Sequence, residues 1–369
     1  MLNNPAASAA ARKPRALAII NGAAAAGLVE IEVDSNSFYQ ADTFQAVFAL
    51  SKQPSGTNWG WWASQTALQV QLFAGFPTDP EKFGMSDLSL LILGNVDDID
   101  IDPVRDQIRI TGRDLTSNFV DAQTVDKWPG YTSSRIAAKL AARHNLQTAI
   151  TKTTVQVGNY YVREHVLENR RITEWDLLTY LARQEDFSVF VRGTTLYFQP
   201  KAQPTDDPYV IQWQPPQSGS AAAPVGNFTA IRFARSLTIA RDVVVFVKGF
   251  DYKTNKSYSV KRSALHPQRS ASNPAQTYVF YIDGLTPQSA IQKAEAKLHE
   301  ITQHEIRVFI DMPADNILTP QNIVQVKGTR TIYDQIYFPA HINRRWSFHE
   351  GYGMTIEAKN HAVESETSV

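Results

Sequence analysis

The sequence predicts an α+β chain that is mainly β: two antiparallel β-barrel domains, an αβ insert between them, and one helix packed on the second barrel. Three observations predict it. Most of the chain alternates apolar and polar residues at the period of half-buried strands. The alternation gives way to helical periodicity in a central block and once more near the C-terminal third. The strands are short and separated by turn residues, and closing such a set into a barrel removes its exposed edges.

Residues 1–14 are small and polar with scattered prolines and read as a flexible tail. The first barrel spans 15–117. Its strands begin at Leu17–Asn21, Val29–Val33, Thr43–Leu50, Leu68–Phe73 and Leu88–Gly94, and end with the pair Val96–Asp102 and Gln107–Leu115. The insert covers 118–204. Thr132 and Ser133 stand where a helix cap belongs, ahead of Ile136, Leu140 and Ala141 at helical spacing. Thr173 and Asp176 form a capping-box pair before the stripe Trp175, Leu178, Leu181 and Ala182. A hairpin, Phe187–Val191 and Thr195–Phe198, turns at Arg192-Gly193-Thr194.

The second barrel spans 205–360. It opens with a Pro-, Gln-, Ser- and Ala-rich linker over 205–227. Strands follow near Thr229–Phe233, Val243–Phe250, Ser257–Val260 and Tyr278–Ile282. A helix over 286–304 starts at Pro287 and carries Ile291, Ala294, Leu298 and Ile301 on one face. Four more strands lie near 306–310, 323–326, 335–342 and 352–358, and 361–369 is a polar tail. The order barrel, insert, barrel suggests a duplicated fold with diverged copies.

Composition narrows the function. The chain has 369 residues, 36 basic and 36 acidic, so no global field favours nucleic acid or an anionic membrane. It has no cysteine, which excludes disulfides, thiolate metal sites and thiol nucleophiles. No apolar run approaches the roughly 18 residues needed to span a bilayer.

Motifs for chemistry are equally sparse. His299 and His304 are five residues apart, whereas a zinc-protease helix needs histidines four apart on one face. Asp98, Asp100 and Asp102 resemble the opening of a calcium loop, but Pro103 and Arg109 stand where glycine and glutamate are needed. Carboxylates that guard a strand edge account for them better. No phosphate loop or nucleophile elbow occurs. Glu164, Glu168 and Glu174 in the insert are the carboxylates to weigh for glycoside hydrolysis, against the larger chance that they are ordinary acids. No catalytic residue, cofactor or metal is therefore expected. The least ordinary cluster is Trp59, Trp61 and Trp62, in a stretch containing Gly60 and Asn58. It fits a protein interface or packing under a neighbouring loop equally well, with carbohydrate stacking third. Arg344 and Arg345 beside Trp346 should face opposite sides of a strand.

The segments ITGRDLTSNFVDA (110–122), YTSSRIAAKLAARHNL (131–146) and RITEWDLLTYLARQEDFSVFVRGTTLYFQP (171–200) resemble the middle of the phage late control gene D proteins. These are the baseplate hubs of contractile-tailed phages, and the same architecture forms the N-terminal half of type VI secretion spike proteins. VFVKGFDYKTNKSYS (245–259) and the segment from Leu318 to Asn360 extend the resemblance to roughly residues 96–360. The first barrel matches in pattern alone. The resemblance implies barrels of the tail-tube type and a structural role in the baseplate of a virion tail, the protein being made in the bacterial cytoplasm. It implies a homotrimer with pseudo-sixfold symmetry that joins a hexameric tail tube protein to a trimeric spike protein, among other baseplate proteins. Tape-measure protein and DNA would pass through its channel without sequence-specific binding. The chain stops in a polar tail where the type VI spike continues into a needle, so the spike is expected to be a separate chain. The rival readings are a tail-associated peptidoglycan hydrolase and a carbohydrate- or nucleic-acid-binding barrel module.

Overall fold

The alternating segments fold as strands and the helical blocks as helices, placing 50% of the residues in strands and 18% in helices in this computed structural model. The α+β, mainly β class is therefore as predicted. The structure describes residues 1–4, 13–37, 39–157, 172–215, 225–235, 243–251, 255–265, 276–282, 285, 287–302, 306–360 and 366–367.

One 14-stranded sheet dominates. Its N-terminal part runs, in spatial order, through Ala23–Ala24, Arg15–Ile20, Gln69–Gly75, Ser89–Asp102, Gln107–Asp114, Thr43–Ala49 and Leu28–Asn36. The sheet does not stop there. Leu28–Asn36 pairs antiparallel with Ile336–Ser347 of the C-terminal part, from His341 opposite Asn36 to Ser347 opposite Glu30. Beyond it come Gly351–Asn360, Ile306–Pro313 and Ala230–Arg235. A second branch leads through Ile323–Lys327 to Pro208–Gln214 and Val225–Gly226. A single apolar core lies under both parts, with Ile31, Phe48, Ile108 and Ile110 from one and Ile310, Tyr337, Ile342 and Ile356 from the other. The two expected barrels thus share a sheet and a core, and no closed barrel is found among the described residues. The physical reason is the open edge: each β region pairs its edge with the other instead of closing on itself.

Two expected strands, Leu88–Gly94 and Val96–Asp102, are one 14-residue strand bent by a bulge between Val96 and Asp98. Its first half lies between two neighbours. Residues 97–102 run past Gln69–Gly75 and pair on one side, with Gln107–Asp114. Two glycines here leave no room for a Cβ: at Gly112 it would lie 2.1 Å from Asn95 O and 2.6 Å from the Phe44 ring, and at Gly94 2.3 Å from Arg113 O and 2.9 Å from that ring.

In the insert, Thr132 caps Ser133–Arg143 by accepting from Arg135 N, and Thr173 and Asp176 form the predicted capping box of Glu174–Glu185. Both helices bury their apolar faces with Phe119, Trp128, Val189 and Phe198 in a separate core. A three-stranded sheet, Phe187–Arg192, Thr195–Pro200 and Gln147–Ile150, completes it. Tyr39, at the left-handed φ of 69°, ties the insert to the main sheet. Its hydroxyl donates to Phe187 O at 2.8 Å, and Trp175 Nε1 donates to Tyr39 O at 2.9 Å.

The second β region carries its own interruption. Val243–Asp251, Lys256–Leu265 and Gln276–Tyr281 form a four-stranded sheet with the short strand Glu366–Thr367. Pro287–Thr302 packs Ala290, Ala294 and Leu298 onto Val243, Val245 and Val247 of this sheet. The predicted helix therefore exists, but it covers a small separate sheet instead of a barrel. Part of the expected linker is also a strand: Pro208–Gln214 joins the main sheet and buries Tyr209, Val210 and Ile211. The Pro- and Ala-rich flanks masked its apolar run, and 216–224 lie outside the described residues. Within the expected N-terminal tail, Leu2 N donates to Pro208 O, and the Asn3 amide both donates to Val210 O and accepts from Val210 N. Residues 5–12 and most of 361–369 lie outside the described residues.

Candidate assembly surface

Strand alternation that buries one side of the main sheet leaves a polar side. Eight neighbouring strands, from Ala230–Arg235 at one end to Ser89–Asp102 at the other, carry it across both β regions. Its cross-strand rows follow from the register. Asp311, Thr355, Asn343, Asp34, Thr43, Arg113 and Asn95 form one row, and Arg345, Glu32, Gln45, Thr111 and Asp98 form another.

The charges on this face are largely paired with each other. Arg345 meets Glu32 at 2.9 Å and Glu30 at 3.6 Å. Asn343 Nδ2 donates to Glu32 Oε1 at 2.7 Å and to Asp34 Oδ1 at 2.6 Å. His341 Nε2 lies 3.0 Å from Asp34 Oδ1. Burial alone would raise the Asp34 pKa, but the hydrogen bonds from His341 and Asn343 outweigh it and hold the carboxyl below its usual range. The hydrogen bond to Asp34 raises His341 in turn. Arg113 grips Asp97 at 2.7 and 2.9 Å and reaches Asp121 at 3.4 Å.

Each end of the face is a strand edge that pairs with no described strand. At one end Ala230–Arg235 presents Arg232, which stacks 4.1 Å over Phe309. At the other, residues 97–102 present Asp98, Asp100 and Asp102 beside exposed Arg109. The aspartates thus occupy a strand and its edge.

The three tryptophans differ in burial. Residues Trp59–Ser64 form a short helix capped by Asn58, whose side chain accepts from Trp61 N. Trp62 is 1% exposed and packs 5.6 Å from Phe48, Trp61 sits edge-on to it at 5.1 Å, and Trp59 remains 51% exposed. Arg344 and Arg345 do face opposite sides. Arg344 is buried and donates to the carbonyls of Asp315 and Leu318, whereas Arg345 belongs to the polar face.

Near Arg344 a cavity of about 120 Å³ joins the Asp42 loop, Asp114, the insert's Arg192–Gly193 turn and residues 316–320. Sequence reasoning missed this junction, because its members are far apart in the chain. Burial pushes the Asp42 carboxyl up to about 7 against the hydrogen bond from Asn36 N. Burial, then the proximity of Asp42, raises Asp114 well above the carboxylate range although Thr116 donates to it twice.

Of the carboxylates weighed for hydrolysis, Glu174 is 3% exposed and held by Arg143 at 2.8 Å and His144 at 2.6 Å. It serves the insert's fold and is not open to a substrate. Glu164 and Glu168 lie outside the described residues, as do His304 and the side chain of His299. Among the described residues, no three His, Cys, Asp or Glu side chains converge as a metal site, and no helix is long and apolar enough to cross a membrane.

A mainly β chain with this shared sheet and αβ insert has the fold of phage tail proteins and of type VI secretion components, in agreement with the resemblance read from residues 96–360. In particular, it is similar to the tail protein from Neisseria meningitidis MC58, with a TM-score of 0.64 and 15% identity over 94% of this chain and 97% of that one. The 43 kDa tail protein of prophage MuSo2 from Shewanella oneidensis gives 0.63 and 12% over 93% and 97%. The E. coli c3393 protein, a type VI secretion component with structural similarity to T4 tail proteins gp27 and gp5, gives 0.53 and 8% over 95% and 79%. At these identities the likeness is one of fold. No family model and no curated protein matches the chain.

Proposed function

We propose that this protein is the structural baseplate hub of a contractile tail or related injection particle. Three copies form a ring that joins a hexameric tail tube to a trimeric spike and encloses a channel for tape-measure protein and DNA. The role is structural, without catalysis.

The observation that carries this reading is the continuous polar face across both β regions. Its acids and bases satisfy each other, so few cations remain to neutralise phosphates and release counterions. A wall of that kind lets a polyanion pass without holding it. The ends of the face support the ring. Ala230–Arg235 offers a strand edge with Arg232, and residues 97–102 offer one with three aspartates. Opposite edges of neighbouring copies are complementary in charge, and a heterologous contact of this type closes into a ring when the rotation allows. Two β regions per copy, over 15–117 and 205–360, then supply six similar units to match a sixfold tube, and Trp59 is available as an outer anchor for a partner.

The chain has no cysteine, which makes the test clean. Arg232→Cys combined in turn with Asp98→Cys and Asp100→Cys is oxidised and resolved on a non-reducing gel. A ladder that stops at three copies supports the ring. Intramolecular cross-links alone, or a ladder that continues beyond three, contradict it.

A further inference from the structure

On the insert sheet, the pairs Ser188–Gln199, Phe190–Tyr197 and Arg192–Thr195 follow one another along the hairpin. Side chains alternate across a strand, so these pairs share the side opposite Val189, Val191, Leu196 and Phe198, which enter the insert core. Against that side lies a groove of about 260 Å³. Ser188 and Gln199 line it from the hairpin, Pro200, Lys201, Ala202, Gln203 and Asp206 from the segment that follows, and Gln321 from the C-terminal β region.

The walls are braced. Arg192 Nη2 donates to Gln321 Oε1 at 2.7 Å while its guanidinium lies 5.5 Å from the Phe190 ring. Gln203 N donates to Asp206 Oδ2 at 2.8 Å, and Gln203 Nε2 donates to Lys201 O at 3.1 Å. A site held in shape before its ligand arrives loses less on binding.

The lining selects among ligands. An isolated phosphate or carboxylate needs an unpaired cation, but Lys201 is held by Asp186 at 2.6 Å and Asp206 adds negative charge. A nucleobase needs an open aromatic face, but Phe190 and Tyr197 stack on each other at 4.8 Å with 4° between planes. A peptide anchor needs an apolar pocket. Here the groove offers primary amides and a hydroxyl, groups that both donate and accept, together with the apolar side chains of Pro200 and Ala202. That combination matches a sugar ring, whose hydroxyls also donate and accept and whose C–H face is apolar. The volume is below the roughly 300–1,000 Å³ of drug-sized sites, which suits one ring better than a chain.

We infer that this groove is a saccharide subsite that seats one pyranose ring of a glycan. The inference is independent of the hub reading and of the tryptophan cluster. The test is calorimetric titration of the full chain with triacetylchitotriose, a cell-wall-like backbone, and in a second arm with lipopolysaccharide core oligosaccharide. Saturable binding of either supports the site and identifies the source. The variant Gln199→Ala should bind about tenfold more weakly, the loss expected for one to two hydrogen bonds, with an unchanged unfolding temperature. Should that variant unfold, Gln203→Ala serves instead and should weaken binding in the same direction. Absence of saturable binding in both arms, or unaltered affinity in the folded variants, overturns the inference.

Discussion

Trp59, Trp61 and Trp62 lie within four positions, and Trp61 is partly buried against the core. Trp62 fills core space against Phe48, whereas Trp59 stands in solvent. Trp62→Ala should therefore cost about 3–5 kcal/mol of stability in urea unfolding, the usual range for a buried large aromatic. Trp59→Ala should change stability by less than about 0.5 kcal/mol, and any effect on assembly should appear in co-sedimentation with tube or spike. The sequence left an interface and internal packing open; Trp62 is packed internally and Trp59 is exposed. Their assignment was hidden because a six-residue helix containing Gly60 has too little periodicity to reveal its inner side. Asp42 was equally invisible, since its neighbours come from three distant segments. Its raised carboxyl keeps a proton in the folded state that the unfolded chain releases near pH 4, so stability falls as pH rises from about 4 to about 7. Asp42→Asn should lessen that loss, with Asp114 still holding its proton above the usual range, so the variant gains stability relative to wild type as pH rises from 5 to 8. Thermal unfolding at the two pH values measures it.

Elements with their own local chemistry were legible. Thr173 and Asp176 announce a helix start whatever surrounds them, and Gly193 announces a hairpin turn. Thr173→Ala should accordingly cost about 1 kcal/mol in chemical denaturation. Elements that depend on neighbours were not legible. Pro208–Gln214 is buried because Ile323–Lys327 lies beside it, a fact its Pro-rich surroundings conceal. The bulge at Asp97 hid the continuity of Ser89–Asp102 by breaking the two-residue period. Gly112 was read as part of a family-like segment, and its physical role is to admit the Asn95 carbonyl and the Phe44 ring. A Cβ there would lie 2.1 Å from Asn95 O. Gly112→Ala should cost about 3 kcal/mol through overpacking against backbone, read as a lowered denaturation midpoint with an unchanged slope.

At the scale of the whole molecule, alternation identified a mainly β chain but could not say which edge meets which. The pairing of Leu28–Asn36 with Ile336–Ser347 joins residues about 300 apart, and periodicity is silent at that distance. This pairing makes one polar face out of two β regions, and the hub reading rests on that face. Its central claim is a closed threefold ring. The most direct test is the absolute mass of the purified protein by light scattering after gel filtration, alone and then with a spike partner. With a chain of 41.2 kDa, the account predicts a discrete species of about 124 kDa for the hub, three chains closed by heterologous contacts. A monomer under both conditions, or a distribution without a closed end point, would contradict it.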